Sequence, residues 1–262
     1  MYIHNFDPVI FEIGSLAIRW YSMAYILGIL IGWWLGKKVF INVSHYLKFK
    51  INNEDFDNYI TYLIISIIVG GRLGYVFFYN FEFYLSNPLD IIKIWNGGMS
   101  FHGGLVGVII GTYIFAQKNK LPTLFLLDII AYVSPIGIFF GRIANFINAE
   151  LVGKTTNAAW GVIFPAFDNM PRHPSQLYEA FLEGLVLFCI MCLFIFKKKY
   201  IIGESSFIFL VFYGFFRIIS EFFREPDAQI GYLFNFISMG SLLSLLMILS
   251  GLILFFLKKN ET

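Results

Sequence analysis

Charge is scarce in this chain. Only 14% of its 262 residues are Asp, Glu, Lys or Arg, where an ordinary soluble domain carries about 25%. Cysteine is scarcer: Cys189 and Cys192 are the two present, which excludes a disulfide scaffold. They stand three residues apart in the apolar run LVLFCIMCLFIF, with no third Cys or His nearby to complete a zinc site. They read as lipid- or core-facing thiols. No Pro-rich linker, low-complexity tail or repeat of fixed period divides the sequence, so residues 1–262 are expected to form a single domain. The net charge is +2 without a basic stripe, which argues against a nucleic-acid partner. Apolar side chains, by contrast, are abundant. Hydrophobic residues make up 58% of the chain and aromatics 20%, at a mean hydropathy of +0.72, more than one water-facing globule can bury. The composition describes an all-α integral membrane protein.

Spanning helices need about 20 mostly apolar residues, and seven segments qualify: 18–40, 58–79, 99–116, 123–147, 176–196, 201–222 and 232–257. Asp7 and Glu12 stand where a cleavable signal peptide carries basic residues, so the N-terminus is expected to stay attached. Lys37, Lys38, Lys48, Lys50, Lys118, Lys120, Lys197, Lys198, Lys199, Lys258 and Lys259 fall on alternate loops, against Lys93, Lys154, Arg172 and Arg224 on the others. Basic residues accumulate in cytoplasmic loops, so the N-terminus is expected outside and the C-terminus in the cytoplasm. Small residues one turn apart (Gly28, Gly32 and Gly36; Gly70 and Gly74; Gly103, Gly107 and Gly111) provide close helix packing. The Pro135–Gly137 stretch reads as a break that would open gaps, or as a packing device.

Four arginines remain. Arg19 lies at the outer end of the first segment, and Arg72, Arg142 and Arg217 fall inside or at the edge of apolar spans, where an unpaired charge costs a few kcal/mol at least. The polar residues around them form four constellations. In WNGGMSFHGG, residues 95–104, glycines flank Ser100 and His102 and permit non-helical backbone facing protein or a wet cavity; His102 is then a site residue or a cap on neighbouring carbonyls. In GRIANFINAELVG, residues 141–153, Arg142 and Asn145 share a helical face, with Asn148 and Glu150 adding donors and acceptors nearby; the cluster is a site, or merely an internal Arg142–Glu150 salt bridge that pins two elements. In YGFFRIISEFFREPD, residues 213–227, Tyr213, Arg217, Glu221 and Arg224 line one stripe, and the Arg217–Glu221 spacing fits a helix salt bridge. Pro174 and Ser175 start the fifth span, with Gln176, Glu179 and Glu183 on one face, either hydrogen-bonded to the intramembrane arginines or catalytic. Arginine forks match phosphate oxygens, so an anionic phospholipid headgroup at the outer leaflet is the economical ligand. A phospholipid or anionic-solute transporter is the competing reading, although the spans show no internal duplication.

The sequence closely resembles the prolipoprotein diacylglyceryl transferase family. The resemblance runs through FDPVIF at 6–11, RWY at 19–21, GGRLGY at 70–75, MSFHGG at 99–104, GRIANFIN at 141–148, RHPSQLYE at 172–179 and FRIISEFFREPD at 216–227, in order along nearly the whole chain. It implies a multi-pass enzyme of the bacterial cytoplasmic (inner) membrane, with a short outer head around 148–175 that contacts the preprotein. The implied reaction moves a diacylglyceryl group from phosphatidylglycerol to the lipobox cysteine thiol of a prolipoprotein signal peptide and releases glycerol phosphate. No metal or organic cofactor is implied. By motif, the catalytic residues are His102, Arg142 and Arg217. Tyr21, Asn145, Glu150, Gly153, Tyr213, Ser100, Gly103 and Gly104 are expected to bind substrate, and Arg72, Glu179, Glu221 and Arg224 to support them. Ala144 and Ala149 stand where the family usually has glycine. Each adds one methyl near Arg142, and tolerance is expected. The stretch between Gly153 and Arg172 is short for the family, which implies a reduced outer head.

That reaction would be a substitution at a glycerol carbon, with a thiol of pKa about 8.5 to deprotonate and charge to stabilise on the departing phosphate. Arg142 and Arg217 suit the phosphate. His102, with an ordinary pKa near 6.5, suits the proton; alternatively His102 binds the headgroup and Tyr21 or a phosphate oxygen takes the proton.

Overall fold

The computed structural model describes residues 1–14, 16–52, 54–197, 199–225, 232–233 and 237–259. Lys198, Pro226 and Asp227, which enter the readings above, lie outside the described residues. The protein is mostly helical. Helices α1 (Trp20–Tyr46), α2 (Asp55–Tyr79), α3 (Phe81–Ser86), α4 (Phe101–Asn119) and α5 (Thr123–Ile147) are followed by a continuous helical run from α6 (Ser175–Glu179) through a π turn (Ala180–Val186) into α7 (Leu187–Ile195). Helices α8 (Glu204–Glu221) and α9 (Met239–Lys259) complete it.

Among the described residues, five helical segments are long and apolar enough to cross a membrane: Trp20–Tyr46, Asp55–Tyr79, Thr123–Ile147, Ser175–Ile195 and Met239–Lys258. The third and sixth expected spans are also helices, α4 and α8, but their polar residues set them apart. His102, Gln117, Lys118 and Asn119 lower the apolarity of α4, and α8 carries Glu204, Arg217 and Glu221. Helix α5 matches its expected bounds and runs unbroken through Pro135, so the expected break there is absent. The last span starts at Met239 instead of 232, because Tyr232–Leu233 and Ile237–Ser238 pair as short antiparallel strands.

The chain divides into two compact units, residues 1–36 with 128–262, and residues 37–127. In the second, Phe40, Phe56, Tyr59, Phe115 and Phe125 are buried and their rings contact one another. Tyr59 and Thr112 satisfy each other's hydroxyls at 3.0 Å in that interior. Helices α2 and α4 meet through glycines: a Cβ on Gly74 would lie 2.7 Å from Gly103 Cα, and one on Gly107 3.3 Å from Gly70 Cα. The small-residue spacing therefore packs helices, as read.

Arg72, on α2, explains how the segment between α2 and α4 is held. Its guanidinium is buried and donates to backbone carbonyls of Ile91 (2.8 Å), Asp90 (2.7 Å), Lys93 (3.2 Å), Gly98 (3.0 Å) and Gly97, while the Tyr84 ring lies 5.1 Å away. One fork thus gathers five carbonyls of the segment around the short 3₁₀ turns, Asp90 O being shared with the Lys93 amide.

In the first unit, a small head follows α5. Strands β1 (Tyr2–Ile3), β4 (Val162–Ile163) and β5 (Pro171–Arg172) form a sheet, β1 parallel and β5 antiparallel to β4. Val152, Val162 and Phe164 form its core with Phe146 and Ala149 against them. The hairpin β2 (Val9–Ile13) and β3 (Leu16–Arg19), which contains Arg19, leads into α1.

Ala149 departs from what the sequence suggested. Its methyl is harmless for packing, but its φ is +56°, a left-handed conformation in which a Cβ costs about 1–2 kcal/mol. The position therefore favours glycine for backbone reasons. Ala149→Gly is expected to raise stability by about 0.5–1 kcal/mol, part of the relief being offset by the lost head contact. Thermal melting in detergent checks this; an unchanged or lower melting temperature would contradict it.

Candidate active site

The strongest polar assembly is built from three segments of the first unit. Arg142 projects from the penultimate turn of α5, Glu179 and Glu183 from the α6–π run, and Arg217 and Glu221 from α8. Arg142 Nε lies 2.8 Å from Glu179 Oε2, and its Nη2 3.4 Å from Glu183 Oε2. Arg217 Nη1 lies 3.0 Å from Glu179 Oε1 and 3.5 Å from Glu183 Oε1, while its Nη2 pairs with Glu221. Arg224 Nη1 reaches Glu179 Oε1 at 3.7 Å. Glu179 and Glu183 are fully buried. A carboxylate survives such burial only when paired, and these two bind Arg142 and Arg217 between them. Glu183 sits inside the π turn, a wider helical turn often found at functional sites.

The alternative reading, an internal Arg142–Glu150 salt bridge, gives way to Arg142 pairing with Glu179 and Glu183. Glu150 instead accepts from Asn145 Nδ2 (3.4 Å) and Asn148 Nδ2 (3.3 Å), and its backbone carbonyl accepts from Gln176 Nε2 at 2.6 Å. Asn145 Nδ2 also lies 3.4 Å from the Tyr21 hydroxyl. Tyr21, Asn145 and Glu150 are thus one group, tied through Gln176 to the helix carrying Glu179. The Arg217–Glu221 helix pair is present as read, and Tyr213 stands one turn before Arg217 on α8. Arg224 lies beyond α8, where residue 222 caps the helix, so it continues the charged cluster but not the helical stripe.

Gly153 bridges to Arg224 as an isolated β-pair. A Cβ there would lie 2.7 Å from Phe223 O and 2.8 Å from His173 Cβ, so the backbone crossing itself requires glycine. Arg172 closes this corner: it is buried, donates to Gly153 O at 2.9 Å and pairs with Asp168 (2.5 Å) and Glu225 (3.1 Å). Its guanidinium holds the Asp168 carboxyl below the usual carboxylate range. Burial lowers the pKa of His173, whose Nδ1 lies 3.2 Å from the Tyr178 hydroxyl.

Ser100, His102, Gly103 and Gly104 belong to the second unit. Non-helical backbone there is confined to residues 97–100, with Gly97 and Gly98 both at φ +81°. Ser100 caps α4, its hydroxyl accepting from Gly103 N at 3.2 Å, and its own amide donates to Gly71 O at 2.8 Å. The expectation of irregular backbone around His102 is corrected: His102, Gly103 and Gly104 lie in the first turn of α4, with the His102 side chain exposed. Gly103 faces α2.

Sequence reasoning missed Asp128. This buried carboxylate of α5 accepts from Tyr200 Oη (2.5 Å), Gly203 N (2.7 Å), Ser206 N (2.7 Å) and Ser206 Oγ (2.6 Å). The signal was available, since a lone acid inside an apolar span must find partners. Arg172 was counted only as a loop charge.

The sequence model of the family described as prolipoprotein diacylglyceryl transferase matches residues 8–257. Phosphatidylglycerol–prolipoprotein diacylglyceryl transferase of Rickettsia felis is 55% identical over 251 residues, covering 94% of this chain and 95% of its own length. The proteins of the same name from Rickettsia bellii and Rickettsia rickettsii are 54% and 55% identical, over 95% and 94% of this chain and 94% and 95% of their own lengths.

Proposed function

This chain belongs to the prolipoprotein diacylglyceryl transferase family, and from that premise we propose how its residues share the reaction. The protein is a multi-pass membrane transferase that moves a diacylglyceryl group from phosphatidylglycerol to a prolipoprotein, the first step of lipoprotein maturation. The acceptor is the lipobox cysteine thiol of the signal peptide, and the enzyme sits in the bacterial inner membrane. Helices α4 and α8 join the five apolar segments as spans, seven in all, with the N-terminus outside and the C-terminus in the cytoplasm. Residues 1–262 act as one catalytic domain.

The observation that carries the assignment of roles is the gathering of Arg142 and Arg217 around Glu179 and Glu183. Two forks held in place by buried carboxylates present their remaining N–H groups to a phosphodiester without reorganising. The thiolate attacks the glycerol carbon bearing the phosphate. An S–C bond forms, the C–O bond breaks, and its electron pair leaves on the phosphate oxygen held by the arginines. The thiol proton is assigned to His102 as general base; Tyr21 or a phosphate oxygen is the alternative acceptor. Asn145, Glu150 and Tyr213 orient the headgroup.

The test uses the purified full-length protein in detergent, phosphatidylglycerol and a lipobox peptide whose mass is read before and after. The transferase reading expects the peptide to gain a diacylglyceryl group. No gain, with folded protein that still binds phosphatidylglycerol, would favour a transporter. His102→Gln is expected to reduce turnover about a hundredfold from about pH 6 to about pH 9. Near-unchanged turnover would move the proton to Tyr21 or the phosphate.

A further inference from the structure

The charge of the arginine cluster raises a problem that its geometry answers. Arg142, Arg217 and Arg224 are matched by Glu179, Glu183 and Glu221, each ion-paired within the same cluster. The assembly is formally neutral at its heart, and two of the three carboxylates have no solvent exposure. Carboxylates so placed hold the arginines ready and at the same time weaken their pull on any anion.

Charge balance along the reaction gives the reason. The substrate phosphodiester carries one negative charge. When the thiol proton goes to a base and the C–O electron pair goes to the phosphate, the product is a phosphate monoester, whose second pKa near 6 leaves it close to doubly charged at neutral pH. Bare arginines would therefore hold product more tightly than substrate, because Coulomb attraction scales with ligand charge. Buried carboxylates beside the same guanidiniums weaken the attraction per unit of ligand charge, and so penalise the dianion more than the monoanion.

We propose that Glu179 and Glu183 are positioning residues that act through Arg142 and Arg217 to set phosphate discrimination, letting the glycerol phosphate dianion leave after a monoanionic phosphodiester has been bound. The proposal rests on the transferase reading. Geometry assigns the role to these two rather than to Glu221. Each reaches both Arg142 and Arg217, whereas Glu221 pairs with Arg217 in its own helix and also accepts from Ser238 Oγ at 2.8 Å. The π turn carries Glu183 alongside the pair that Glu179 already bridges.

The experiment measures product inhibition during peptide lipidation by the full-length enzyme, with glycerol phosphate as the probe. Glu183→Gln is expected to tighten glycerol phosphate inhibition about tenfold or more, to lower KM for phosphatidylglycerol, and to lower kcat with a burst of about one lipidated peptide per enzyme. Glu183→Asp, which restores the charge, is expected to return the inhibition constant towards wild type. A carboxylate that only holds the fold would give weaker inhibition and a higher KM when removed, and that result overturns the proposal. Glu179→Gln is read in the same way should Glu183→Gln fail to fold. A measurement on the wild type needs no variant: methyl glycerol phosphate, a monoanion, is expected to inhibit at least as strongly as the glycerol phosphate dianion near pH 8, and clear preference for the dianion refutes the idea. Wild-type protein that lipidates no peptide would instead refute the underlying transferase reading.

Discussion

Arg142→Gln is expected to lower kcat/KM for diacylglyceryl transfer by at least about a thousandfold, and Arg217→Gln by a comparable factor. Each guanidinium is held by buried carboxylates at 3.5 Å or less, so its orientation is set before substrate arrives and its electrostatic effect is available to the departing phosphate. Glutamine keeps polarity and approximate length but loses the charge and the fork. Arg142→Lys keeps the charge and can retain one contact, to Glu179 or to Glu183, so a smaller loss of about ten- to a hundredfold is expected. Removing either arginine also strands buried negative charge, a cost of about 3–5 kcal/mol when a buried pair is broken, and melting must be followed beside activity. Arg142→Lys separates the two effects, because it keeps the cluster's charge balanced. The double variant should be no slower than the worse single one by more than a small factor, since both arginines grip one phosphate. Folded Arg142→Gln with transfer within tenfold of wild type would remove Arg142 from the chemistry.

What the sequence revealed and what it hid follow one physical division. An arginine in an apolar span is conspicuous because membrane burial makes it costly, so Arg72, Arg142 and Arg217 were legible. Their partners were legible in part: spacing gives the Arg217–Glu221 pair, and Glu179 and Glu183 were readable as partners of intramembrane arginines, but not which arginine each meets. Proximity along the chain suggested Glu150 for Arg142, but the carboxylates it meets are Glu179 and Glu183, brought by another helix. Arg72 meets backbone carbonyls, which no side-chain pattern announces. Helix α5 was readable to its ends because a mostly apolar run from Thr123 to Ile147 lies between Pro122 and the polar stretch that starts at Asn148. The start of α4 was legible to within two residues, but the backbone around His102 was not: flanking glycines suggested irregular backbone, while the Ser100 cap marks a helix start. Ala149 shows the remaining limit: the methyl was visible in the sequence, but the left-handed backbone beneath it was not.

Gly103→Leu is expected to prevent accumulation of folded protein, or to lower its melting temperature by at least about 10 °C, whereas Gly104→Ala, its neighbour in the same motif, is expected to be nearly silent. Both glycines were read as substrate-binding from the motif, and their surroundings differ. A Cβ on Gly103 would stand 2.9 Å from Gly74 Cα and closer still to the Gly70 carbonyl, backbone atoms that cannot move aside alone. A Cβ on Gly104 would meet only Ile67, its Cγ2 and its carbonyl oxygen both at 3.8 Å, ordinary contacts. Leucine at 103 must therefore force α2 and α4 apart and disturb Gly107 and Gly111, which repeat the close approach along α4. Helices in lipid gain little from hydrophobic exclusion and depend on this close packing, so little remains to restore the pair once it separates. Melting in detergent and peptide lipidation, read together, distinguish packing from binding. Loss of transfer in Gly104→Ala without any change in melting would return that glycine to the substrate, while an unaltered Gly103→Leu protein would mean that α2 and α4 do not meet through their glycines.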